Sequence, residues 1–215
     1  MSETRMGYAF TAVVTSEMAL REMLEQPSEL SVRKQMAKLD QHCRTFISIS
    51  PFVLIATVGA TGTCDVSPRG DAPGSVCVLD DQTLVIPERP GNRRADTLLN
   101  IIQTARIGML FMIPGVEETL RVNGRAQVVQ DAEILDRTMA RGKRPLLAIG
   151  VTVEECFLHC AKALKRSRLW QSEHWSDRAA LPTLGQMLLD QTQLPGVKLE
   201  DLTCAIEESY TKRLY

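Results

Sequence analysis

Eleven residues, Thr119 to Val129, constrain this chain more than any other stretch. Leu120, Val122, Gly124, Ala126 and Val128 alternate with Thr119, Arg121, Asn123, Arg125 and Gln127. A period of two puts the first set on one face of an extended strand and the second on the other. A helix would scatter both sets around its circumference. The segment reads as a half-buried antiparallel strand, and its apolar face needs neighbours to cover it. Gly124 in its middle hints at a bend or a close backbone approach.

The neighbours are present in the sequence. Residues 52–58 form an apolar run that reads as a buried strand. Residues 59–62 are its turn and 63–67 its return, which makes a hairpin. Residues 76–79 and 83–86 read as short strands around Asp80-Asp81, and residues 105–113 and 149–157 as two more.

Helical spacing appears between and around these strands. Residues 93–103 carry Leu98, Leu99 and Ile102 on one side, and Asp131 caps a helix to about residue 140. Residues 160–169 suggest a short basic helix. At the start, Ser16 caps a helix that Pro27 stops, and Ser28 caps a second to about Cys43. Met36, Leu39 and Cys43 give that second helix an apolar face. Residues 184–191 and 199–214 close the chain as helices. The expected fold is mainly β with α additions: a small antiparallel barrel at 46–175, a helical extension at 1–45 and another at 176–215, together one compact domain.

Charge and cysteine use narrow the function. With 25 basic and 26 acidic residues the net charge is -1, so bulk attraction to nucleic acid or an anionic membrane is not expected. Aromatic residues make up 5% and are not interleaved with the basic ones, which argues against a single-strand nucleic-acid surface. No apolar run approaches the roughly 20 residues that span a bilayer. Glu3, Glu17, Glu22, Glu25 and Glu29 near the start argue against a signal peptide. The six cysteines are scattered, as in a soluble protein of a reducing cytoplasm. Cys156, His159 and Cys160 lack a second ligand pair at metal spacing, so no metal site is expected. Walker, dinucleotide-binding and nucleophile-elbow motifs are missing from the sequence.

Four segments carry candidate chemistry. In residues 86–96, Pro90 and Gly91 force a turn after a strand, Asn92 can cap the following helix, and Arg93 and Arg94 offer guanidinium forks to an anion. The same turn also reads as a solvated one whose arginines pair with Asp96 and Glu88. In residues 65–74, a Pro- and Gly-rich strand end allows close backbone approach, with Arg69 as a third cation. It equally reads as a strand exit with Arg69 paired to Asp71. In residues 118–126, Thr119, Arg121 and Asn123 can meet the edge of a flat heterocycle or simply face water. In residues 159–170, Lys162, Lys165, Arg166 and Arg168 follow His159 and can reach a phosphate or form a solvated helix face.

Taken in this order, the four segments with Ile113-Pro114-Gly115 resemble the FMN-binding split-barrel family related to pyridoxamine 5′-phosphate oxidase, in an uncharacterised bacterial subgroup. The resemblance runs from Phe52 to about Trp170. It implies a six-stranded antiparallel split β-barrel working as a homodimer, with FMN at the subunit interface. It implies that Asn92, Arg93 and Arg94 hold the FMN phosphate, with Ile86 and Pro87 beside the ribityl chain. Ser67, Pro68 and Arg69 would meet the ring through backbone, and Thr119 would contact the flavin. His159, Lys162 and Arg166 would come from the partner subunit. The implied activity is that of an FMN-dependent oxidoreductase; a flavin-binding module without turnover, or a haem or deazaflavin binder on the same barrel, are the alternatives. True pyridoxamine phosphate oxidases carry an Arg-x-His pair near their end. Residues 199–215 contain no histidine, so the resemblance does not extend to the vitamin B6 substrate.

Overall fold

The computed structural model describes residues 9–215. It divides into two compact units, Met1–Gln35 and Met36–Tyr215. In the first, α1 (Glu17–Leu24) starts at Ser16, whose hydroxyl accepts from the Ala19 N–H at 3.2 Å. Next, α2 (Glu29–Arg33) starts at Ser28, which accepts from the Ser31 N–H at 3.3 Å. Neither helix buries a residue.

The helix expected to run from Ser28 to Cys43 is two helices. Met36 breaks it by exchanging two backbone hydrogen bonds with Cys156, at 3.0 and 2.8 Å. Asp40 then caps α3 (Gln41–Ile49) through the Cys43 N–H at 2.8 Å. A pair of sheet-type bonds and a side-chain cap together outweigh continued helical spacing.

The second unit holds one antiparallel sheet. Its strands are β1 (Phe52–Val58), β2 (Cys64–Gly70), β3 (Cys77–Val78), β4 (Thr83–Pro87), β5 (Arg106–Met112), β6 (Thr119–Val129) and β7 (Ala148–His159). Their order across the sheet is β2-β1-β5-β6-β7-β4-β3. This is the split barrel that the resemblance implied, with seven strands rather than six. The extra one is β3, which pairs only Cys77 with Val85 and Val78 with Leu84.

Alternation along β6 has the expected outcome: Leu120, Val122 and Ala126 are buried with Val53, Ile55 and Phe111 in the core. Gly124 sits at a shift of register between β6 and β7. A Cβ there would lie 2.1 Å from the Thr152 carbonyl oxygen. Of the bend or close contact expected at Gly124, the structure shows a close backbone approach that only glycine permits.

Helix α4 (Asp96–Thr104) lies between β4 and β5, and α5 (Ala132–Arg137) between β6 and β7. Asp131 precedes α5 but makes no side-chain cap. After β7 come α6 (Lys162–Ser167), two short 3-10 turns, α7 (Leu184–Thr192) and α8 (Leu199–Lys212). The last two pack on each other at Gly185, where a Cβ would lie 3.1 Å from Thr203 Oγ1. Among the described residues, no helix is long and apolar enough to cross a membrane.

The sheet does not close by hydrogen bonds, so β2 and β3 are its edges. Two ion pairs bridge the gap instead. Arg69, on β2, meets Glu88 just past β4 at 3.2 Å, and Arg89 meets Asp71 at 2.7 Å.

Candidate functional site

The basic turn lies between β4 and α4, where the sequence put it. Its backbone differs from the expectation. Asn92 does not cap α4: the cap position is Ala95, without a side-chain hydrogen bond. Asn92 Oδ1 instead accepts from the Arg94 N–H at 3.0 Å. Arg93 and Ala95 both adopt left-handed backbone, at φ 62° and 59°. Two non-glycine residues in that region store strain, which the surroundings must hold in place. A tight loop of this kind leaves no room for the helical start expected at Arg93.

This geometry leaves the first N–H groups of α4 without a side-chain cap, at the positive end of the helix dipole. Arg93 is exposed and makes no ion pair among the described residues. Arg94 is engaged, donating from Nε to Asp96 Oδ2 at 2.8 Å, and the Asp96 carboxylate holds its guanidinium still more firmly charged. The plain reading of the turn is therefore true for Arg94 and untrue for Arg93.

On β2, Asp65, Ser67 and Arg69 share the half-buried face, because their spacing is two. Ser67 donates to both oxygens of Asp65 at 3.1 and 3.2 Å. Thr97, buried at the start of α4, donates to Asp65 Oδ2 at 2.7 Å. Asp65 thereby ties β2 to the helix that follows the basic turn. Arg69 pairs with Glu88 rather than with Asp71; Asp71 takes Arg89. The sequence named Arg69, Asp71 and Glu88 as pairing charges and missed Arg89.

Ile86 and Pro87 are buried at the end of β4, and the Ile86 side chain belongs to the core. The ladder with β3 stops at Leu84 and Val85, so the outer backbone edge of Ile86 and Pro87 has no strand partner. The outer edge of β2 is likewise open, and Pro68 there has no N–H to satisfy. Backbone, more than side chain, is what these two strand ends offer a ligand.

The remaining candidates form a second group. Thr119, 8% exposed, stands opposite His159 in the β6–β7 register. Lys162 and Arg166 follow on α6, both exposed. Three places separate β6 from the β2 edge in the sheet, and His159 stands eleven positions along β7 from Ala148, the residue opposite Pro87 at the end of β4. Arg121 lies over the Phe157 ring at 5.0 Å, and Asn123 donates to Glu155 at 2.8 Å, so both are occupied on the sheet surface. Lys165 pairs with Glu117 at 2.5 Å.

Sequence reasoning missed Asp65, Thr97 and Tyr215. The alternation Asp65-x-Ser67-x-Arg69 was a usable signal for the first. The other two meet β2 and its exit only through the tertiary fold. Two cavities, of about 330 and 420 Å³, lie beside β6, the first between Leu79, Arg125 and Ile134 and the second between Ile102, Gln127 and Leu147. None of the candidate residues lines either one.

Known structures of similar form include HupZ of Group A Streptococcus, at 21% identity over 56% of this chain and 93% of that one, TM-score 0.46. An FMN-binding protein of Syntrophomonas wolfei is 12% identical over 66% and 96%, TM-score 0.42. General Stress Protein 26 of Bacillus anthracis is 13% identical over 54% and 88%, TM-score 0.42. Among curated proteins, no sequence matches. Residues 39–160, more than half the chain and including the barrel strands with the basic turn, match the model of one family. This chain belongs to the pyridoxamine 5′-phosphate oxidase family.

Proposed function

We propose that this protein is an FMN-dependent oxidoreductase that holds its flavin in a homodimer. One observation carries the reading: in a member of this family, the strand-turn-helix segment presents an unengaged guanidinium, Arg93, beside the uncapped start of α4. A phosphate dianion suits both, because it accepts from backbone N–H groups and from a planar fork at once. Arg94 can join by sharing its bond to Asp96.

The open edges of β2 and β4 suit the rest of the molecule. Ser67, Pro68 and Arg69 would meet the ring through backbone, and Ile86 and Pro87 would flank the ribityl chain. FMN supplies hydride chemistry when bound; the chain binds and orients it. Arg69, steadied by Glu88, is the cation on β2 suited to negative charge at the ring's edge. Thr119, His159, Lys162 and Arg166 stand apart from the turn within one chain. In a homodimer they would serve the partner's flavin, which supports a shared site.

The test is the absorption spectrum of the purified protein before and after FMN is added, with mass identification of anything released on heating. Flavin bands that dithionite bleaches are expected. A colourless protein that takes up no FMN overturns the reading, and a Soret band assigns the barrel to haem. Bleaching by a reduced nicotinamide, with reoxidation by an added acceptor, tests turnover. A bound flavin that no donor reduces would make the protein a flavin-binding module.

A further inference from the structure

Tyr215 gathers three separate parts of the chain. Its phenol donates to Asp71 Oδ1 at 2.7 Å. The Arg141 guanidinium lies 4.6 Å from the centre of its ring, and that of Arg89 5.9 Å. Lys143 Nζ donates to its backbone oxygen at 2.6 Å. Asp71 in turn accepts from the Ala72 N–H and from Arg89 Nε, both at 2.7 Å. The Asp71 side chain is 8% exposed and that of Arg89 16%. Arg89 immediately precedes Pro90, where the basic turn begins. A continuous line of contacts therefore leads from Tyr215 through Asp71 and Arg89 to the root of the turn.

We propose that Tyr215 is a positioning residue: the segment 213–215 latches the exit of β2 to the exit of β4 and thereby sets the turn that carries Arg93. The role toward FMN rests on the phosphate reading above. The left-handed backbone at Arg93 and Ala95 persists only while its surroundings over-determine it. Removing the phenol takes one of three donors from Asp71. Removing the whole ring also frees Arg89 and Arg141 from the ring that both approach. The Asp71–Arg89 pair then opens to water, and the turn can relax to ordinary backbone and carry Arg93 away from the start of α4.

Hydrogen exchange of the amides in residues 88–95 tests the latch without any flavin, comparing the unaltered protein with Tyr215→Phe and Tyr215→Ala. Tyr215→Ala is expected to speed exchange there roughly tenfold, in line with the loss of a hydrogen bond to a charged group. Tyr215→Phe keeps the ring and is expected to show a smaller increase in the same amides, with β6 and β7 unchanged in both. Equal exchange across residues 88–95 in all three proteins overturns the proposal. So does an increase spread evenly over the whole barrel, because that reports general loosening. FMN titration of the same proteins is expected to show weaker binding in the same order. If the unaltered protein binds no FMN, the phosphate reading falls, while the exchange comparison still decides the latch.

Discussion

Arg69 Nη2 lies 3.2 Å from Glu88 Oε2, and this contact ties β2 to the end of β4 across the gap in the sheet. Both side chains are about a quarter exposed, so water screens the pair only in part. The neighbouring pair Arg89–Asp71 is shorter and more deeply buried. Double-mutant cycles with Arg69→Met and Glu88→Gln, followed by urea unfolding, are expected to give a coupling near the low end of the ~0.5–3 kcal/mol seen for contacting residues. The cycle for Arg89 and Asp71 is expected to give the larger coupling. Removing Asp71 alone leaves a mostly buried guanidinium unpaired and is expected to cost more than removing both partners.

Arg93→Ala removes the unengaged guanidinium of the turn and, among the described residues, no ion pair or side-chain hydrogen bond. Stability to heat is expected to stay unchanged. Affinity for FMN, followed by flavin fluorescence, is expected to fall by ~1.5–3 kcal/mol, the worth of a hydrogen bond to a charged group. Arg94→Ala is expected to cost less, because its bond to Asp96 already competes with the phosphate. A larger loss from Arg94 than from Arg93 contradicts this assignment of roles.

The Tyr215–Asp71 contact sets a pH window. Burial pushes the Asp71 carboxyl up, but hydrogen bonds from Tyr215, the Ala72 N–H and Arg89 outweigh it and hold it below its ordinary value of 3.8. A carboxyl depressed in the folded state contributes stability above its ordinary value and loses it as pH falls further. The hydrogen bond to Asp71 raises the Tyr215 phenol above its ordinary 10.0. A raised phenol contributes stability below that value and loses it as pH climbs through the folded one. Chemical denaturation across pH is therefore expected to show Tyr215→Phe and the unaltered protein differing most between about 4 and 10, and converging outside that range.

Strand β6 was legible to the residue, because a period of two over eleven positions leaves one backbone that satisfies it. The start of α4 was not. Asn92 is a good cap by residue type, yet the helix begins at Asp96, because Arg93 and Ala95 turn left-handed and neither residue type announces that. Arg94–Asp96 was legible as a local pair, whereas the pairs that bridge the gap were not. Arg69 finds Glu88 across nineteen positions only when the sheet curls. Tyr215 and Asp71 are 144 positions apart, beyond any local pattern. Short-range periodicity reports strand faces; contacts that bridge the gap in the barrel exist only after the strands are ordered.

Gly124→Ala places a methyl 2.1 Å from the Thr152 carbonyl oxygen, against backbone that cannot swing aside. The β6–β7 register must shift to admit it. A loss of at least the ~1–3 kcal/mol typical of overpacking is expected, read as a lower midpoint in thermal unfolding. Gly115→Ala meets nothing within 4 Å but sits at φ 83°, so its smaller cost would come from backbone alone.

The thiols should divide by exposure. Cys64, Cys160 and Cys204 are exposed, Cys77 is partly covered, and Cys43 and Cys156 are buried. A hydrogen bond with Cys156 and burial push the Cys43 thiol up, away from the reactive thiolate. Titration of the native protein with a chromogenic disulfide is expected to modify the first three quickly, Cys77 slowly, and the buried two only after denaturant. Rapid modification of Cys43 in the native state would contradict its burial beside Cys156.

The left-handed residue at position 93 places two demands on one site. Glycine would relieve the backbone there at no steric cost and make the fold more stable. It would also delete the one cation in the turn that no neighbour among the described residues neutralises. Selection for stability alone would favour glycine at this position, whereas selection for holding a phosphate-bearing ligand would favour the charge of arginine. A library randomised at position 93 and sorted first for thermal tolerance, then for flavin retention, should separate the two pressures, with glycine or asparagine enriched in the first sort and arginine in the second.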